Sequence, residues 1–132
     1  MEAAIKALSA TPVLFVDRVE PTRDWFMKAG FTVMFDVPEG DHLGFAGLQN
    51  NGVQVMVETR GNSNESAGVQ AKTKETRNAV VFIEVDDVES VIAAMKGTKI
   101  LAERHKTFYG ADGITYEEPG GHLVTFAQMD PK

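Results

Sequence analysis

Apolar and polar positions along the chain fall into two blocks with the same rhythm. Pro12-Val13-Leu14-Phe15-Val16 is a short apolar run rich in β-formers and predicts a buried strand. Pro21 then stands where a helix can begin, and Thr22–Lys28 places Trp25, Phe26 and Ala29 on one side before Gly30 stops it. Phe31, Val33, Phe35 and Val37 alternate with polar or smaller neighbours, the period of a strand. Turn residues 38–41 follow. His42–Leu48 and Val53–Val57 then form a hairpin around Gln49-Asn50-Asn51-Gly52, whose Asn-Gly pair supplies positive φ.

Residues 59–77 are polar and aperiodic and read as a linker loop. After them the order recurs. Val80–Val85 predicts a strand, Asp87–Met95 a helix stopped by Gly97, and Lys99–His105 a strand. Tyr109–Gly113 reads as a turn, Ile114–Glu117 as a strand, Pro119–Gly121 as a turn and His122–Gln128 as the last strand. Adding 69 carries Val16 to Val85, Asp17 to Asp86, Val19 to Val88, Gly44 to Gly113, Gly52 to Gly121 and Val55 to Val124. One offset without a gap is therefore expected from the first strand to the last. A period this long is a duplicated module, not a solenoid repeat.

The pattern predicts an α+β chain of two tandem βαβββ modules. Their curved mixed sheets surround a shared cleft and carry helices on the outer face. The expected boundaries are 11–58 for the first module, 59–77 for the linker and 78–128 for the second.

Composition narrows the chemistry. A chain of 132 residues fits one domain, and a net charge of −6 argues against nucleic acid. An acidic field favours a cationic ligand, although solubility alone accounts for it as well. With no cysteine, disulfides, thiolate nucleophiles and cysteine-based metal sites are excluded. No apolar run approaches the roughly 20 residues of a membrane span, and Met1–Ala10 carries no signal-peptide core. A cytoplasmic protein without membrane partners is expected.

The string Val16-Asp17-Arg18-Val19-Glu20, followed by Trp25-Phe26 and Ala29-Gly30-Phe31, resembles the opening of the glyoxalase/bleomycin-resistance/extradiol-dioxygenase superfamily, the vicinal-oxygen-chelate group. Glu118-Pro119-Gly120-Gly121-His122-Leu123-Val124-Thr125-Phe126 is similar to its last-strand motif. Metal-dependent members of that group hold a divalent ion with side chains from the first and last strands of each module. The resemblance puts those positions at Thr11, Met56, Val80 and Thr125. Valine has no donor atom, methionine suits soft metals, and threonine is a poor ligand for zinc, iron or manganese. No metal site and no cofactor are therefore expected.

The three histidines share no metal-binding spacing: His42 reads as exposed, His122 as structural, and His105 as a strand end opposite its repeat partner Asp36. Ser9, Ser63, Ser66 and Ser90 lie in no strained glycine-flanked turn, and phosphate-cradling glycine motifs are absent. No catalytic residue is assigned.

Alternation places Val13, Phe15, Phe82 and Glu84 on the concave side with Gln54, Met56, Glu58, Leu123 and Thr125. The candidate ligand-binding set is Phe15, Gln54, Met56, Glu58, Phe82, Glu84, His105, Tyr109 and Thr125. For Phe15, Phe82 and Met56, packing between modules accounts equally well for the apolar character, and Trp25 reads as core. Rings beside carboxylates suit a cationic or aromatic small molecule. The resemblance then implies a metal-independent binding protein of bleomycin-resistance type, acting as a homodimer. The alternative is a divergent metal-dependent lyase, isomerase or dioxygenase using His105, Glu58, Glu84 or Glu103. A third reading is a regulatory module without a small ligand.

Overall fold

The computed structural model describes residues 5–60 and 79–130. The first half runs β1 (Val13–Val16), α1 (Val19–Lys28), β2 (Thr32–Glu39), β3 (His42–Asn50) and β4 (Val53–Thr59). The second runs β5 (Val80–Glu84), α2 (Val88–Ala94), β6 (Ile100–Lys106), β7 (Ala111–Glu117) and β8 (Leu123–Met129). Each half makes a four-stranded mixed sheet, in the orders β1-β4-β3-β2 and β5-β8-β7-β6. The first strand is parallel to the last, and the other pairs are antiparallel. This is the α+β duplication the pattern implied. The proposed linker lies outside the described residues except for Thr59, which closes β4, and Arg60, whose N–H reaches the Val16 carbonyl at 2.6 Å.

One core serves both sheets. Leu14, Val16, Leu48, Val55 and Val57 of the first join Ile83, Ile114, Tyr116, Val124 and Phe126 of the second. The element between them is α1, whose buried Val19, Thr22, Trp25 and Phe26 recur at helical spacing. The Trp25 ring lies 4.9 Å from Phe26 and 6.1 and 6.0 Å from Tyr116 and Phe126 of the other half. Trp25 is therefore core, and it couples the two modules. Among the described residues its indole N–H has no partner.

Several boundaries differ from the sequence pattern. Helix α1 begins at Val19, three residues before Thr22, with Pro21 still in the first turn, where its missing N–H costs nothing. Strand β7 begins at Ala111, not Ile114: Ala111, Asp112 and Gly113 pair with Met129, Gln128 and Ala127. Turn-like composition there yields to a strand partner on each side.

Nor is the repeat gapless. Val13 opposes Met56 and Phe82 opposes Thr125, so the first and last strands do correspond at a spacing of 69. Met56 opposes Gly47 and Thr125 opposes Thr115, which brings the third strands to 68. Gly47 opposes Phe35 and Thr115 opposes Ala102, which brings the second strands to 67. The second module loses two residues around its shorter helix, regains one at the bulge between Ala102 and His105 within β6, and regains another in the β7–β8 connection. Gly113 thus corresponds to Phe45, and the match of Gly44 with Gly113 is coincidental. His105 corresponds to Val37 and not to Asp36, since both oppose that third-strand position.

Candidate functional site

Side chains opposite one another on neighbouring strands share a face, so the register defines rows across each sheet. On the side away from the core, the first sheet carries Phe15–Glu58–Phe45–Val37 and, beside it, Val13–Met56–Gly47–Phe35. Gln54 lies one row further along, opposite Gln49. The second sheet carries Glu84–Ala127–Gly113–His105 and Phe82–Thr125–Thr115–Ala102.

The first sheet gathers aromatic surface around a carboxylate. Glu58 is 1% exposed, and in-register Phe15 and Phe45 stand on either side of it. Phe35 lies 5.6 Å from Phe45 and covers Gly47 so closely that a Cβ there would meet the ring at 2.3 Å. Gly47 is small because the ring occupies that space. Pattern reading missed Phe35 and Phe45. Strict alternation puts Phe35 on the same face as Phe31 and Val33, but a bulge between Val33 and Phe35 turns it over. Phe45 sits on the expected face of β3, a strand that contributed nothing to the candidate set.

The remaining candidates divide. Phe82 is half exposed on edge strand β5 and lines a groove with Gln54, the approach to β1 and the start of β4, so these two do meet across the modules. Glu84, at the end of β5, is exposed and lines a separate cavity. Thr125 shares a hydroxyl hydrogen bond with Thr115 at 2.7 Å. His105 is exposed at the far end of the Glu84 row, its Nδ1 3.2 Å from the Glu103 carbonyl. Tyr109 stands in the β6–β7 connection against Phe108, ring centroids 5.1 Å apart, outside both rows. His42 is exposed between Asp41 and Glu39, and hydrogen bonding to Asp41 raises its pKa.

The most heavily bonded polar group went unnoticed in the sequence. Glu118 is 1% exposed in the β7–β8 turn. Its Oε2 accepts from the Thr22 hydroxyl of α1 at 2.6 Å and from the Gly120 N–H at 2.7 Å. Its Oε1 accepts from the His122 N–H at 2.9 Å and from His122 Nδ1 at 2.6 Å. A carboxylate only accepts, so Nδ1 carries the proton. Burial alone would raise the Glu118 pKa; the four donors outweigh it and hold the group below its ordinary 4.5. His122 is structural, as its place in the turn implied. Gly120 packs so tightly that a Cβ would lie 2.4 Å from Val16 Cγ1. This clamp pins one module's hairpin to the other's helix.

The positions at which the related metalloproteins hold a metal do not fit one here. Val80 offers no donor, Met56 offers a thioether, and the Thr125 hydroxyl is shared with Thr115. Among the described residues, no three His, Asp or Glu side chains converge on a possible metal position.

Comparison with solved structures supports the fold. TioX from Micromonospora sp. ML1 superposes with a TM-score of 0.75 at 20% identity, over 94% of this chain and 100% of that one. The bleomycin resistance determinant encoded on transposon Tn5 gives 0.68 at 16% identity, over 95% and 100%. A bleomycin-binding protein complexed with bleomycin gives 0.66 at 17%, over 94% and 100%. No curated protein matches the sequence. Among the described residues no helix is long and apolar enough to cross a membrane. Residues 8–126 match the family model of the same group, nearly the whole span of the two modules, and the chain therefore belongs to the Glyoxalase/Bleomycin resistance protein/Dioxygenase superfamily.

Proposed function

We propose that the chain is a metal-independent binding protein that sequesters a small cationic or aromatic ligand. The observation that carries this reading is the row Phe15–Glu58–Phe45 with Phe35 beside it. Rings stack on the flat faces of a ligand and attract positive charge, and a carboxylate among them supplies the counter-charge. Metal chemistry finds little support in the donor set, since each of the two first-and-last-strand pairs contains a residue that cannot serve a hard cation. The likeness to a bleomycin-binding protein favours a ligand that is captured and not transformed.

The reading includes a homodimer. Around the buried Glu58 and Phe15, apolar residues of the same faces are uncovered: Val13, Phe35 and Val37 on the first sheet, and Val80 and Phe82 on the second, remain substantially exposed. A second copy laid over such a face would bury that apolar surface and enclose a ligand between sheets. The acidic chain would hold the cation electrostatically as well.

Equilibrium dialysis and thermal shift against bleomycin and a panel of simpler cationic aromatics test the proposal, with elemental analysis of chelator-free protein alongside. Saturable binding that is lost in Phe45→Ala and weakened in Glu58→Gln is the expected result. A stoichiometric transition metal, or indifference to every member of the panel, would overturn it.

A further inference from the structure

The seam between the modules carries a cavity of about 420 Å³ at the end of β5, where residues 83–86 meet the β3–β4 turn. That volume falls within the range of small-molecule sites, roughly 300–1,000 Å³. Its floor belongs to the core: Phe31, Ile83 and Phe126 are 3%, 7% and 1% exposed. Its rim is polar and one-signed. Glu84 and Asp86, at the end of β5, face Asn50 and Asn51 of the β3–β4 turn. Among the described residues that line it there is no lysine, arginine or histidine. Neither carboxylate has a hydrogen-bond or ion-pair partner among the described residues. The C-terminal end of α1 reaches the same wall through Ala29 and adds the negative end of the helix dipole.

From this geometry we propose that the cavity is a second ligand site, separate from the aromatic strip of the first sheet, and that it takes a small organic cation with a flat apolar body. An aryl amidine or arylalkyl amine has the required chemistry. The body covers Phe31, Ile83 and Phe126, while the cationic head reaches Glu84 and Asp86 through charge-assisted hydrogen bonds. The amides of Asn50 and Asn51 accept or donate as the head requires and fix its orientation. A bare divalent ion is a poor occupant, because hard cations take six or more oxygen ligands and the floor here is hydrocarbon. An anion would face two carboxylates. A neutral ring would leave both charges without a counter-ion. The site depends on neither the dimer nor the strip, so it stands or falls by itself.

The probe is p-aminobenzamidine, titrated into the intact chain and followed by its own fluorescence and by backbone amide chemical shifts, with 4-aminobenzamide as the neutral isostere. Saturable binding is expected, with shifts centred on Phe31, Asn51, Val53 and residues 83–86. The Glu84→Gln/Asp86→Asn double variant should bind about tenfold more weakly or worse, as loss of hydrogen bonds to charged groups implies. Both substituted residues are exposed, so the fold is not at stake. Glu58→Gln should leave the shifts at these seam residues unchanged, although it weakens any binding of the probe at the strip. Three results would reject the site: no saturable binding, equal binding of the neutral isostere, or shifts confined to Phe15, Phe45 and Met56 with loss in Glu58→Gln. The last would reject the seam while favouring the strip, so the two readings fail separately.

Discussion

Replacing Glu118 tests whether the β7–β8 clamp holds the modules together. Its four donors are the Thr22 hydroxyl, the Gly120 N–H, and the backbone N–H and Nδ1–H of His122. Hydrogen bonds to a charged group contribute about 1.5–3 kcal/mol each, but they share one carboxylate and do not add. Relief of the buried charge also offsets part of the loss, so Glu118→Ala should cost about 3–5 kcal/mol, the range seen when one partner of a buried ionic network is removed. Against a total stability of roughly 5–15 kcal/mol, that is severe. Glu118→Gln is more discriminating because its shape is conserved. With the Gln oxygen toward His122, the new NH₂ meets the Gly120 N–H; turned round, it meets the His122 N–H. One backbone donor is stranded in either orientation, a cost of about 2 kcal/mol.

The pH dependence follows from the same contacts. Glu118 has a folded pKa below its ordinary 4.5, so its contribution is fully present above the unfolded pKa and fades as pH falls through the folded value. Urea denaturation, followed by far-UV circular dichroism and by fluorescence of Trp25, should show a lowered midpoint with an unchanged slope for Glu118→Gln. The gap to the parent should be widest near neutral pH and close in acid. Equal midpoints at pH 7, or a gap that widens in acid, would refute the ionised clamp.

Other outcomes are equally specific. Gly120→Ala puts a methyl 2.4 Å from Val16 Cγ1 and 2.8 Å from Glu118 Oε1, and overpacking of that kind should cost about 1–3 kcal/mol in the same urea assay. Gly47→Ala drives a methyl into the half-exposed Phe35 ring, which can swing toward solvent; ligand affinity in dialysis should fall more than the melting temperature does. Added zinc, nickel or manganese should leave that temperature unchanged, since only a ligand bound to the folded state raises it. Neutralising Arg104, whose guanidinium joins Glu89 and Asp112 at the surface, should cost less than about 1 kcal/mol by denaturation, as exposed pairs usually do.

Element order was legible because it depends on local pattern. Apolar runs such as Val13–Val16 and Val80–Glu84, and the glycines that stop each helix at positive φ, mark their elements without help from distant residues. What stayed hidden depends on pairing across the chain. No period-two count can show that β2 bulges between Val33 and Phe35, because the bulge is a property of its register with β3. Glu118 borders the Pro119–Gly121 turn with no local sign of burial, and the hydroxyl that meets it belongs to Thr22, 96 positions earlier. The faces of β1, β4, β5 and β8 followed from alternation. Which face residues meet depended on how the two modules share α1.

The duplicated halves are not alike on the side away from the core. Where the first sheet places Phe15, Glu58 and Phe45 in a row, the second places Glu84, Ala127 and Gly113 at the corresponding positions. One row is bulky and aromatic around a central carboxylate. The other has a small-residue floor with its carboxylate at the edge. At the positions that the family resemblance assigns to a metal centre, Thr11 with Met56 and Val80 with Thr125, each pair includes a residue that cannot serve a hard cation. One sheet presents rings that stack, and the other is closed by small, buried residues. Removing a ring from the bulky row is the corresponding experiment: Phe45→Gly should abolish capture of flat cations in equilibrium dialysis, and undiminished binding would refute a role for that row.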